Sequence, residues 1–142
     1  MKERKQAASK SRILTAALLA AFLAFLAAFP AQAWDRSTRV VTILSSGTRT
    51  AATAQSSSFV VAAYAEGQIF VDVTAEAGVS TLDITIQTSP DDSTWYTHTT
   101  MSQITATGQV RQAITNFGKY IRVSYTVGGT SMTFSITGVF KN

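Results

Sequence analysis

One histidine, His98, one pair of adjacent carboxylates, Asp91 and Asp92 beside Ser93, and the aromatics Tyr64, Trp95, Tyr96, Tyr120 and Tyr125 are the side chains to weigh for chemistry. Nucleophilic catalysis by a Ser–His–Asp relay needs three converging groups, and no spacing in this chain sets His98 between a serine and an acid. Calcium asks for six to eight oxygens, and no Asp-x-Asp-x-Asp-Gly loop surrounds the two aspartates. Adjacent acids on one turn cannot flank a glycosidic bond from opposite sides either. No Gly-rich phosphate loop, Gly-x-Ser-x-Gly elbow or His-Glu-x-x-His helix occurs. Cysteine is absent, which excludes thiol nucleophiles, thiolate zinc sites and iron–sulfur clusters. The expectation is therefore no catalytic residue, no metal ligand and no cofactor. What remains is binding. Exposed aromatics stack on sugar rings, and Trp95, Tyr96 and Tyr64 form the candidate binding face; the competing and favoured reading makes Trp95 and Tyr120 core or sheet-rim residues, as large aromatics in small sandwiches usually are.

The elements that would position these residues begin after a leader. Met1 to Arg12 carries five basic residues against Glu3, Ile13 to Phe29 is apolar apart from Thr15, and Pro30-Ala31-Gln32-Ala33 closes the run. Basic, apolar and Ala-x-Ala segments in that order are a secretory signal peptide over residues 1–33, with cleavage expected between Ala33 and Trp34. An uncleaved N-terminal membrane anchor is the alternative, since the apolar run sits at the short end of the spanning range. Residues 34–142 form the second unit, where seven basic residues balance seven acidic ones. The basic pI of the whole chain thus belongs to the leader, and no basic patch for nucleic acid survives the count.

Within that unit the dominant signal is alternation. Leu82, Ile84 and Ile86 alternate with Asp83, Thr85 and Gln87, and Ser89-Pro90-Asp91-Asp92-Ser93 supplies turn chemistry. A hairpin is expected there, with Trp95 or Tyr96 sealing the core. Upstream, Val40 to Leu44 reads as a first strand broken by Ser45-Ser46-Gly47, and Arg49 to Ala54 as a polar edge strand. Ile69, Val71 and Val73 share one strand face, and Glu76-Ala77-Gly78 reads as a turn meandering into the strand at 80–88. Downstream, Val110, Gln112 and Ile114 share a face, and Asn116-Phe117-Gly118 is a turn. Ile121 and Val123 alternate inward, Gly128-Gly129 suits a tight primed turn, and Met132, Phe134 and Ile136 line the return strand. About eight short strands with no 3.6-period segment after the leader predict an all-β fold, an antiparallel β-sandwich of jelly-roll or immunoglobulin-like kind, with a small barrel as the alternative.

Two segments carry a family likeness: Thr81 to Tyr96, with its Ser-Pro-Asp-Asp turn before Trp-Tyr, and Lys119 to Phe134, with Tyr-Ile-Arg-Val before Gly-Gly. They resemble small β-sandwich proteins of tailed-phage structural gene clusters, the head-decoration and minor virion proteins. The resemblance implies a scaffold and a repetitive surface role and carries no active site. Such virion proteins assemble without an export signal, whereas residues 1–33 look like one. The combined expectation is an exported, non-catalytic structural or adhesion subunit, placed extracellularly, at the cell surface or in the periplasm. Its partners would be copies of itself or another surface protein, meeting at weak edges such as Arg49 to Ala54. The alternative is a secreted carbohydrate-binding module.

Overall fold

The computed structural model describes residues 37–142; the expected signal peptide lies outside them. Seven strands form one antiparallel sheet: β1 (Thr38–Gln55), β2 (Phe59–Val60), β3 (Glu66–Ala77), β4 (Thr81–Ser89), β5 (Tyr96–Thr100), β6 (Gly108–Thr115) and β7 (Tyr120–Lys141). No α-helix occurs among the described residues.

β7 is the axis, 22 residues long and paired on both sides. Along one side runs β1, from Thr38 opposite Lys141 to Gln55 opposite Ser124, and β2 prolongs it with Phe59 opposite Ile121. Along the other side β3 takes the C-terminal half, Glu66 opposite Lys141 to Ala77 opposite Ser131. β4 takes the N-terminal half, Thr81 opposite Gly128 to Ser89 opposite Tyr120. β6 then pairs with β3, and β5 with β4. The expected meander from β3 to β4 does not form, because both strands lie end to end on β7 instead of pairing with each other.

Burial along β7 changes parity midway. Ile121, Val123 and Val127 are buried in its first half, Met132, Phe134, Ile136 and Phe140 in its second. A strand with period 2 can keep both halves on one core only if it bends or bulges between them. Gly128 and Gly129 make that bend. Gly129 has φ of +80°, and a Cβ there would come within 2.9 Å of the Ser80 Cα in the β3–β4 turn. This corrects the expected hairpin at Gly128-Gly129. A primed turn needs positive φ at its first central residue, which Gly128 lacks, and the two arms already have other strands on either side.

β1 follows the same bend. The expected break at Ser45-Ser46-Gly47 is instead a pair of register shifts, between Thr42 and Leu44 and between Leu44 and Gly47, with a third between Thr50 and Ala52. Bulges free carbonyls from the ladder, and Arg49 collects them. Its Nη1 donates to Gly47 O at 2.7 Å and Phe134 O at 2.8 Å, and its Nη2 to Ser45 O at 2.8 Å. The guanidinium lies 4.5 Å over the Phe134 ring. Two expected pairs of strands thus fuse into β1 and β7, and with the two-residue β2 the described residues hold seven strands. The all-β class holds, but the two separate sheets of a sandwich become one sheet curled into a half-barrel.

The curl encloses a single apolar core. Ile69, Val71 and Val73 of β3, Leu82, Ile84 and Ile86 of β4, and Ile121 and Val123 of β7 are all buried there, as their alternation predicts. Each such side chain contributes about 1.5–3 kcal/mol. In β6 only Ile114 reaches the core, while Val110 is exposed, because β6 is an edge strand. Phe140 closes one end: a Cβ on Gly67 or Gly138 would stand 2.7 Å from its ring, so both glycines make room for it. Tyr64 and Phe117 pack on the same ring, with centroids 6.2 and 6.0 Å away. Phe134 and Phe140, not Trp95 or Tyr96, are the aromatic centre of the core.

β5 and β6 are the two ends of the path β5-β4-β7-β3-β6, yet the curl brings them together. His98 on β5 donates from Nε2 to the carbonyl of Thr115 on β6 at 2.7 Å. The lone histidine is a clasp between sheet edges, and its buried Nδ1 has no hydrogen-bond partner.

Candidate binding face

The turn between β4 and β5 decides where the aromatics go. Ser89 is fully buried, and its Oγ accepts from the amides of Asp91 (3.2 Å) and Asp92 (2.9 Å) while donating to Asp91 Oδ1 (2.9 Å). Asp91 Oδ1 also accepts from the amides of Ser93 (3.0 Å) and Thr94 (2.8 Å), and Oδ2 from the Thr94 hydroxyl (3.2 Å). Those bonds favour the charged form. The Thr94 amide, then the Ser93 amide, then the Ser89 hydroxyl hold the Asp91 carboxyl far below the usual carboxylate range. Asp92 sits at φ of +63°, a conformation aspartate tolerates in turns. Asp91 is thus occupied as a turn former. Among the described residues no group of three or more His, Asp or Glu side chains could hold a metal ion.

Leaving this turn, the chain sets Trp95 against Arg122 of β7, whose guanidinium lies 4.1 Å from the indole ring centroid. Arg122 Nε donates to Gln87 Oε1 at 2.7 Å. Gln87 stands opposite Arg122 on one side and opposite Thr97 on the other, so three neighbouring strands build the cluster. Two residues before Arg122, Tyr120 carries the Lys119 ammonium 5.2 Å from its ring. Tyr96 follows Trp95 and is 59 % exposed. Trp95 itself is half-buried, under Arg122.

Tyr64, the third candidate, sits in the connection between β2 and β3, half-buried against Phe140. Tyr125 packs edge-on to Phe134 at 5.4 Å. Neither Arg122 nor Gln87 was singled out by the sequence, where both pass for ordinary polar positions of alternating strands. Their one signal was parity: both fall on the outward faces of strands flanking the Trp-bearing turn. A shallow depression on the opposite half of the sheet, lined by Phe70, Asp72, Gln109, Val110 and Arg111, was likewise not foreseen.

A second surface feature is an edge. Among the described residues β1 pairs only with β7, so the far side of an 18-residue strand is unpaired. It includes Val40, 66 % exposed, and the stretch from Arg49 to Ala54.

No protein-family model matches the chain, and no curated protein sequence does. Solved structures share its fold. The PBSX exported protein XepA superposes with a TM-score of 0.57 at 12% identity, over 73% of this chain and 36% of XepA. The SPBc2 prophage-derived protein YomS gives 0.54 at 12% identity, over 75% of this chain and 95% of YomS. The VP2 subviral particle of infectious bursal disease virus gives 0.54 at 14% identity, over 76% of this chain and 33% of that chain. The chain therefore spans about a third of XepA and of VP2 and nearly all of YomS.

Proposed function

We propose that this chain is an exported, non-catalytic structural or adhesion subunit of a cell or virion-like particle surface, joined to copies of itself or to another surface protein by a sheet edge. The observation that carries the reading is β1: eighteen strand residues with a partner on one side only present a row of unpaired backbone donors and acceptors. The fold neighbours fit the reading: XepA is an exported protein, VP2 builds a subviral particle, and YomS is prophage-derived. Export itself rests on the leader sequence of residues 1–33. Sedimentation of the purified protein over a concentration series tests the edge. Self-association that disappears in an Ala51→Lys/Ala52→Lys variant with an unchanged circular dichroism spectrum is the expected outcome. A protein that stays monomeric and captures no envelope or particle component refutes it.

The second reading, a carbohydrate-binding module, is favoured by the exposure of Tyr96 and by Trp95 lying outside the core. Pull-down on insoluble polysaccharides, with Trp95→Ala as control, separates it from the first.

A further inference from the structure

We infer that Arg122, held between Trp95 and Gln87, is the acid-recognising centre of a saccharide site that takes a carboxylate-bearing sugar, a uronic acid within a glycan. The inference rests on the carbohydrate-binding reading and names its substrate class. Arg122 spends only Nε on the protein, donating to Gln87. Its two terminal nitrogens make no hydrogen bond among the described residues, and neither is among the buried atoms lacking a partner, so both keep access to solvent. Indole on one side and Gln87 at its edge fix the plane of the guanidinium, which leaves a pre-aimed pair of parallel donors. That fork matches the two oxygens of a carboxylate.

Arg122 also forms no ion pair among the described residues. The one ion pair among the described residues is Lys141 with Glu66, at 3.1 Å. The turn that leads to Trp95 holds Asp91, with both oxygens engaged by the turn itself, and the exposed Asp92. Asp83 shares the outward parity of Gln87 but lies four residues along β4, about 13 Å away, and accepts from Gln103. Lys119 adds a second cation at Tyr120. Tyr120 and Arg122 share one face of β7 two residues apart, about 6.6 Å along the strand. A sugar lying across them sets its C–H face on the phenol ring and its carboxylate on the fork. A polyanion such as single-stranded nucleic acid suits the surface less well, because the charges of residues 34–142 cancel and no run of cations tracks a phosphate backbone.

Titration calorimetry on the full chain tests this with an oligogalacturonate, its fully methyl-esterified neutral counterpart and an oligothymidylate. The acid oligosaccharide should bind, the ester at least tenfold more weakly, and the oligothymidylate not at all. Arg122→Gln should lose at least tenfold for the acid form and clearly less for the ester, so that the preference for the acid collapses. Arg122→Lys, which keeps the charge without the fork, should fall between, and it separates lost recognition from lost folding together with circular dichroism of each variant. Equal binding of acid and ester overturns the inference but leaves a sugar-binding module standing. No binding to either saccharide overturns both. An oligothymidylate that displaces the oligogalacturonate with equal affinity shows a polyanion site and overturns the assignment to sugars.

Discussion

At the scale of single residues, two polar side chains do structural work that their types alone suggest is functional. Asp91 looks like half of a catalytic or metal-binding pair, yet its carboxylate gathers amides and hydroxyls of its own turn. Its pKa is lowered on folding, so its contribution is fully present above the unfolded value of about 3.9 and is lost as pH falls toward the lower folded value. Asp91→Asn should therefore lower the urea midpoint at pH 7, and the gap to wild type should shrink as pH drops below about 4; unfolding curves across pH 2–7 check this. Arg49 looks like a surface cation on an edge strand, but among the described residues its side chain alone is bonded to the carbonyls of Ser45 and Gly47 in the bend of β1 and of Phe134 on β7. Truncating it to alanine strands those acceptors, with an expected loss of about 1–3 kcal/mol in denaturant unfolding.

At the scale of elements, the bend shared by β1 and β7 turns an ordinary antiparallel ladder into a half-barrel. Gly129 carries the sharpest local constraint, a positive φ in direct contact with the β3–β4 turn. Gly129→Ala should cost on the order of 2 kcal/mol or more by adding backbone strain to a steric clash with Val79 and Ser80. Gly108 has φ of +142° with open space around it, and Gly108→Ala tests strain without the clash. Thermal melting of the two variants side by side should place the larger loss at Gly129. The alternation of apolar residues made the strands Gln68–Ala75, Leu82–Gln87 and Tyr120–Thr126 legible, because a buried face imposes its period on the residues that fill it. The Gly-Gly pair was ambiguous for a physical reason: glycine permits a reversal and a bend alike, and only neighbouring strands choose between them.

At the scale of the whole molecule, the sheet has a well-tied centre and loose margins. β7 is paired along both sides, whereas β1, β5 and β6 each leave one side without a strand partner among the described residues. Hydrogen exchange should be slowest at the β7 amides and fastest along the outer side of β1. If β1 is the contact through which copies associate, its outward amides gain protection with rising concentration while those of β7 do not change. His98→Ala removes the bond that ties β5 to β6 and should speed exchange at Thr97–Thr100 and at Gln112–Thr115, leaving the centre of β7 as it was.

By itself the chain's order of residues determined the all-β class, the inward faces of most strands and the turn chemistry at Ser89–Ser93. Each of these follows from local periodicity, side-chain type or composition, which need no knowledge of distant partners. The tertiary structure alone decided that β1 and β7 run unbroken through their glycines, that Phe140 rather than Trp95 fills the core, and that Trp95 meets Arg122 on the outside. Those outcomes depend on which strand lies beside which, and strand order is set by contacts between residues far apart in the chain.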